Sequence, residues 1–171
     1  ERERLGGILG DHLVTVIIKR FSALKDMTLS LYWPIKSELD LRPAMTKLFT
    51  QGVRLALPVV VTKNQPLHFH EWKPGDPMER GFWNIPVPSQ KTEVTPDLLL
   101  APLVGWDSAL YRLGYGGGYF DRTLAKLDQK PFTIGVGLHA AKLDTIFLQP
   151  HDRPLDMILT EEGIEATSGR M

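Results

Sequence analysis

Residues 98–121 read LLLAPLVGWDSALYRLGYGGGYFD, and this stretch decides the fold. It opens on a nearly continuous apolar run, Leu98–Val104, the pattern of a strand covered on both faces. It passes through a glycine-rich loop to residues 119–127, where Phe120, Leu124 and Leu127 fall at helical spacing. Strand, loop and helix in that order form the context of a phosphate loop. In open α/β sheets, ligands settle beyond the carboxyl ends of the strands. Glycine lets the backbone turn sharply and approach an anion with no Cβ in the way. The unpaired amides at the start of the next helix point toward that anion. Arg112 could add a bidentate contact to phosphate oxygens. The pattern is neither of the common phosphate motifs. Tyr119 stands where the dinucleotide fingerprint wants Gly or Ala, and no Gly-Lys-Ser/Thr follows. Two plainer readings stay open: glycines that only permit tight strand–helix packing, and a glycine-rich interaction or lid loop.

Outward from this stretch, strand and helix patterns alternate. Residues 4–24 repeat apolar side chains near helical spacing, with Gly6, Gly7 and Gly10 against the helix and VTVII open to an extended reading. LSLYW at residues 29–33 reads as a strand stopped by Pro34. Residues 41–50 read as a helix that Gly52 is placed to end. VRLALPVVV at residues 53–61 reads as a strand whose Pro58 favours an edge or a break. LHFHEW at residues 67–72 alternates like an antiparallel strand. Residues 73–96 are rich in turn formers and read as a long surface excursion. FTIGVGL at residues 132–138 and MILT at residues 157–160 are further strands, with a short helix expected within residues 139–147. The alternation predicts an α/β fold: a single-domain, three-layer sandwich with a largely parallel central sheet and an antiparallel edge excursion.

The chain has 171 residues, enough for one domain with a sizeable core. Lysine plus arginine equals aspartate plus glutamate at 20 each, so overall charge gives no case for nucleic-acid binding. No cysteine is present, which excludes disulfides and thiolate metal sites and fits a reducing compartment. No apolar run approaches the roughly 18–20 residues that a membrane helix needs. The expectation is therefore a cytoplasmic monomer with no nucleic-acid or membrane partner.

Three further features bear on chemistry. Asp121 lies in the first turn of the expected helix. There it either complements the helix amino end or offers a carboxylate to magnesium beside phosphates. Asp156 precedes the last predicted strand. His68 and His70 share one strand face, but no third metal ligand is placed with them, so edge-strand residues are the better reading. His139 and His151 stay unassigned.

RLGYGGGYFDR, followed by FTIGVG and then QPHDRPLDMILTE, resembles the 5-formyltetrahydrofolate cyclo-ligase family, also called methenyltetrahydrofolate synthetases. YWPIKSELDLRPAM and GVRLALPVV add to the likeness, which covers about residues 29–161. The resemblance implies an enzyme that cyclises 5-formyltetrahydrofolate to 5,10-methenyltetrahydrofolate at the expense of ATP, with Mg²⁺ and through a phosphorylated formyl group. By position, Arg112, Gly114, Tyr115, Gly116, Gly117, Gly118 and Tyr119 match the nucleotide-phosphate loop, with Arg112 and Tyr119 also at catalytic positions. Asp121 and Asp156 match metal-associated aspartates. Glu38 matches an acidic folate-binding position. Tyr119 also matches an aromatic position close to substrate and nucleotide, and Trp33 and Phe82–Trp83 could offer flat apolar surface to the folate rings. Core or loop anchoring is the plainer reading of both tryptophans. A non-catalytic nucleotide- or anion-binding module is the alternative.

Family members typically begin with a basic helix that helps to hold ATP, and residues 1–28 match only the helix after it. The expectation is one cyclo-ligase-like domain over residues 1–171, with that basic segment either preceding Glu1 or missing from the protein. Two other positions differ. Val87-Pro88 stands where the family usually has Glu-Pro, and Phe120 where it often has tyrosine.

Overall fold

The apolar run of the diagnostic stretch becomes β6 (Leu98–Pro102), the central strand of a seven-stranded sheet. The computed structural model describes residues 1–35, 38–113, 118–148 and 152–170. Four strands run parallel to β6: β1 (Thr28–Ser30), β2 (Arg54–Val59), β9 (Phe132–Val136) and β10 (Met157–Thr160). Two antiparallel strands close the edges. β3 (His68–Trp72) pairs with β2, and β11 (Gly163–Thr167) pairs with β10. The spatial order is β11-β10-β9-β6-β1-β2-β3.

Strand side chains alternate between faces, and each face has its own cover. On one face Leu29, Leu55, Leu98, Leu100, Ile134 and Met157 pack beneath α1 (Arg2–Arg20) and α2 (Arg42–Thr50). The buried stripe of α1 is Leu9, Leu13 and Ile17, and full burial of such a side chain stabilises by roughly 1.5–3 kcal/mol. Gly10 lies in the same stripe because α2 comes close: a Cβ there would stand 3.3 Å from the Ala44 Cβ. Of the three glycines that weaken the helix pattern, Gly10 thus marks the α1–α2 approach, Gly6 faces the Asp40 backbone and Gly7 faces open space, and VTVII is helical. On the other face Ala56, Phe69 and Leu99 meet Leu124 of α3 (Tyr119–Lys126). Helix, sheet and helix make the three expected layers.

Several local expectations change. β2 is not an edge strand. Arg54 and Ala56 direct their backbone groups toward β1, so Pro58 faces the same way, where β1 has already ended at Ser30. Its missing N–H therefore leaves no ladder bond unmade. The LSLYW strand is shorter than read, Thr28–Ser30, because the chain leaves the sheet toward Pro34. The excursion over residues 73–96 holds a small hairpin, β4 (Met78–Arg80) with β5 (Pro86–Pro88). A second hairpin, β7 (Gly105–Trp106) with β8 (Arg112–Leu113), stands between β6 and the glycines, so the loop does not follow β6 directly. Where a short helix was expected after residue 138, His139–Ala141 form a single 3-10 turn. Edge strand β11 carried no clear alternation and was not foreseen.

Candidate active site

The strand order reverses between β6 and β1. From β1 the chain builds outward through β2 and β3, then returns to place β6 on the other side of β1. Carboxyl ends of strands at such a reversal leave a crevice that suits a ligand. Arg112 enters this crevice from β8. Its Nη2 donates to the Pro102 carbonyl at the end of β6 over 2.9 Å, and its guanidinium lies 4.7 Å from the centre of the Phe120 ring. Its Nε is buried with no hydrogen-bond partner among the described residues. Burial pushes the guanidinium pKa down, opposed by the nearby charges of Asp121 and Glu38. Arginine nonetheless stays protonated in proteins. The crevice therefore holds a desolvated cation with an unspent donor, which favours an incoming anion.

Glu38 follows β1 in a reciprocal turn. The Ile35 amide donates to the Glu38 carboxylate over 3.0 Å, and the Glu38 amide donates to the Ile35 carbonyl over 2.9 Å. Beneath it the buried Tyr32 hydroxyl donates to the Leu39 carbonyl. Burial, with Glu38 and Asp40 adding to it, holds the Tyr32 phenol pKa above its ordinary value. Trp33 packs edge-on against Trp72 at 6.2 Å, and the Arg42 guanidinium lies 4.9 Å from its ring centre.

Two aromatic side chains from distant segments meet on the other flank. Tyr119 opens α3, and its hydroxyl accepts a bond from the Asn64 amide in the loop after β2. Trp83 comes from the tip of the β4–β5 hairpin and meets Tyr119 edge-on at 5.9 Å. Trp83 is 58% exposed, so core packing does not explain it. Trp83 and Asn84 have φ of 55° and 59°. A bulky residue in the left-handed region is strained, and such strain gathers at functional sites. Val87 is buried in β5 beneath this tip, with its methyl groups against Gly81.

Gly118, with φ 68°, caps α3, a backbone that glycine adopts without strain. A groove runs from it between α3 and residues 152–154, lined by Asp121, Arg122, Asp152 and Arg153. The Asp121 Oδ1 accepts a bond from the Arg153 amide over 3.2 Å. Among the described residues no group of three or more His, Asp or Glu gathers as a metal cage. Gly114, Tyr115, Gly116 and Gly117 of the expected phosphate loop, and His151, lie outside the described residues.

Asp156 stands elsewhere. It precedes β10 and so lies at the amino end of the parallel strands, opposite the crevice. Its Oδ2 accepts bonds from the Thr133 amide, the Thr133 hydroxyl and Arg170, and its Oδ1 accepts one from Ser168. Arg170 also donates to the Pro131 and Lys130 carbonyls, so Asp156 ties the end of the chain to the sheet. His68 pairs with Glu93 over 2.8 Å, and His70 is buried, which lowers its pKa.

The sequence reading overlooked Arg122 and Arg153. One signal was present. A cation in the opening turn of a helix runs against the helix dipole, and Arg122 sits there.

Comparison with known proteins agrees with this geometry. A family model described as the 5-formyltetrahydrofolate cyclo-ligase family matches residues 12–161. A 5-formyltetrahydrofolate cyclo-ligase of Haemophilus influenzae is 31% identical over 139 residues, spanning 77% of this chain and 74% of that protein. One from Escherichia coli is 29% identical over 144 residues, spanning 80% of this chain and 79% of its own. The solved 5,10-methenyltetrahydrofolate synthetase of Mycoplasma pneumoniae superposes with a TM-score of 0.74 at 25% identity, covering 94% of this chain and 87% of that one. The Aquifex aeolicus 5,10-methenyltetrahydrofolate synthetase gives 0.76 at 27% identity, covering 100% of this chain and 86% of that one. With the family model spanning most of its length, the chain belongs to the 5-formyltetrahydrofolate cyclo-ligase family.

Proposed function

We propose that this protein cyclises 5-formyltetrahydrofolate to 5,10-methenyltetrahydrofolate with consumption of ATP. The observation that carries the reading is the buried Arg112 guanidinium at the strand reversal, with an unspent Nε and within electrostatic reach of Glu38 and Asp121. One cation thus feels the charge of both the proposed folate carboxylate and the proposed metal–phosphate carboxylate.

The formyl oxygen is a poor leaving group until it is phosphorylated. In the proposed reaction it attacks the γ-phosphorus of ATP, a new P–O bond forms, and ADP leaves with the electrons of the bridging bond. N10 then attacks the formyl carbon and loses its proton. The C–O bond breaks, and inorganic phosphate departs with the oxygen. Phosphoryl transfer asks a protein mainly for positioning and charge stabilisation. Arg112 offers fixed positive charge to the phosphates, and the glycine stretch that ends at Gly118 is proposed to supply backbone donors to them. Glu38 receives the N–H donors of the pterin ring. Tyr119, with Trp33 and Trp83, orients the flat folate rings.

Magnesium, when bound, would neutralise phosphate charge. It prefers oxygen ligands and keeps several waters, so Asp121 with Asp152 as neighbour fits it better than a full cage would. The proposal leaves Asp156 out of the metal site, since its oxygens already serve Thr133, Ser168 and Arg170. The membrane plays no part in this reading. Among the described residues no helix is long and apolar enough to cross one. A cysteine-free chain suits a reducing compartment, and the proposal places one chain per site in the cytoplasm.

The test mixes purified protein with 5-formyltetrahydrofolate and MgATP and follows the methenyl product and ADP together. Equal amounts of both are expected. Nucleotide binding by folded protein with no folate-dependent turnover would instead make it a non-catalytic nucleotide-binding module.

A further inference from the structure

The groove beside α3 carries one step further. Arg122 is exposed, yet its guanidinium is drawn back to the amino end of its own helix. It lies 5.7 Å from the Tyr119 ring centre, and a Cβ on Gly118 would stand 3.7 Å from its Nη1. A cation at that end opposes the helix dipole, and nothing about core packing calls for it. What it adds is positive charge beside the last residue of the glycine stretch. Across the groove Arg153 stands on a segment whose position is fixed twice. Its amide is held by Asp121, and the Leu155 amide donates to the Leu110 carbonyl over 2.8 Å.

We propose that Arg122 binds the polyphosphate of the nucleotide, with the Asp152–Arg153 segment as the opposite wall of the same channel. The inference rests on the proposed function, which supplies the nucleotide. The groove mixes guanidiniums with the carboxylates of Asp121 and Asp152. A magnesium–nucleotide complex presents both signs: oxygens to the arginines, metal to the aspartates. The backbone bond from Arg153 to Asp121 couples the wall to the carboxylate that the metal would use. Arg112 then grips the phosphates from inside the crevice, and Arg122 from its mouth.

The experiment titrates the full chain with MgATP in the absence of folate, by calorimetry, for wild type, Arg122→Met, Arg122→Gln and Arg122→Lys. Met keeps an unbranched stem against Tyr119 without charge, and Gln serves if Met perturbs folding. Loss of one charge-assisted contact predicts roughly tenfold weaker MgATP binding. Lys should recover most of it, and the KM for 5-formyltetrahydrofolate should stay within about twofold of wild type. Wild-type affinity in the Met and Gln variants, with a changed folate KM or kcat, would overturn the proposal and make Arg122 a prop for Tyr119. A wild-type protein that itself binds no nucleotide would overturn the proposed function, and this inference with it. The two failures are therefore distinguishable.

Discussion

Substituting Asp156 separates the role implied by family resemblance from the role seen in the fold. The carboxylate is 14% exposed and accepts from the Thr133 amide, the Thr133 hydroxyl, Ser168 and Arg170. In Asp156→Asn the amide can turn its oxygen to Thr133 and Arg170 and its nitrogen to Ser168, so the geometry survives and the charge goes. Bonds to charged groups contribute roughly 1.5–3 kcal/mol and neutral ones about 1 kcal/mol. The Arg170 side chain is 45% exposed, so solvent screens part of that difference. A net loss of about 1 kcal/mol follows, or roughly 2–4 °C in Tm for a chain of this size. Asp156→Ala removes every bond and strands the amide of the buried Thr133, which predicts about 3 kcal/mol and roughly 6–12 °C. Thermal melting measures both variants, and cyclisation rates across a magnesium titration complete the assay. Half-saturating magnesium should match wild type in Asp156→Asn. An unchanged Tm with a strongly raised magnesium requirement would refute the reasoning and return Asp156 to the metal.

Other outcomes follow from the same geometry. Glu38→Gln should weaken folate binding by about tenfold while leaving MgATP affinity in place, because the change removes an acceptor charge worth roughly 1.5–3 kcal/mol; titration with each ligand separately checks this. Trp83→Gly should raise the folate KM without lowering Tm, since the side chain is 58% exposed and glycine relieves the φ of 55°. Gly135→Ala should cost roughly 1–3 kcal/mol in chemical unfolding, because its Cβ would stand 2.6 Å from Leu155 Cδ1 and 2.8 Å from Leu103 Cδ2 within the core. His139 has a raised pKa, chiefly through its hydrogen bond to Glu165. Its contribution to stability is full below its unfolded value and fades as pH rises through the raised folded value. The pH dependence of Tm in that window should flatten in His139→Gln.

The sheet was legible because its central strands are buried on both faces. Leu98–Val104 is a nearly continuous apolar run, and such a run leaves few alternatives; FTIGVGL reads as a strand despite Thr133. Pro58 misled because a proline is judged by its own strand, whereas its tolerance depends on where β1 stops. The β7–β8 hairpin was hidden within a loop by its two-residue strands. β11 was hidden by an irregular register, with a shift between Ile158 and Leu159 of its partner strand. In the site, Arg112 and Asp121 could be singled out from spacing around the glycines. The sheet end on which Asp156 falls depends on strand direction, which no local pattern reports. Trp83 meets Tyr119 only through the hairpin tip, and Arg122 acquires meaning only once its guanidinium is seen folded back on Gly118.

The central claim is that the formyl oxygen of the substrate becomes an oxygen of inorganic phosphate. A heavy-oxygen label on that formyl group, followed through one turnover with MgATP, tests it most directly. Mass analysis should find the label in phosphate in one-to-one proportion with methenyl product. Methenyl product formed with unlabelled phosphate and the heavy oxygen released into water would contradict phosphorylation of the formyl group, and with it the role assigned to Arg112.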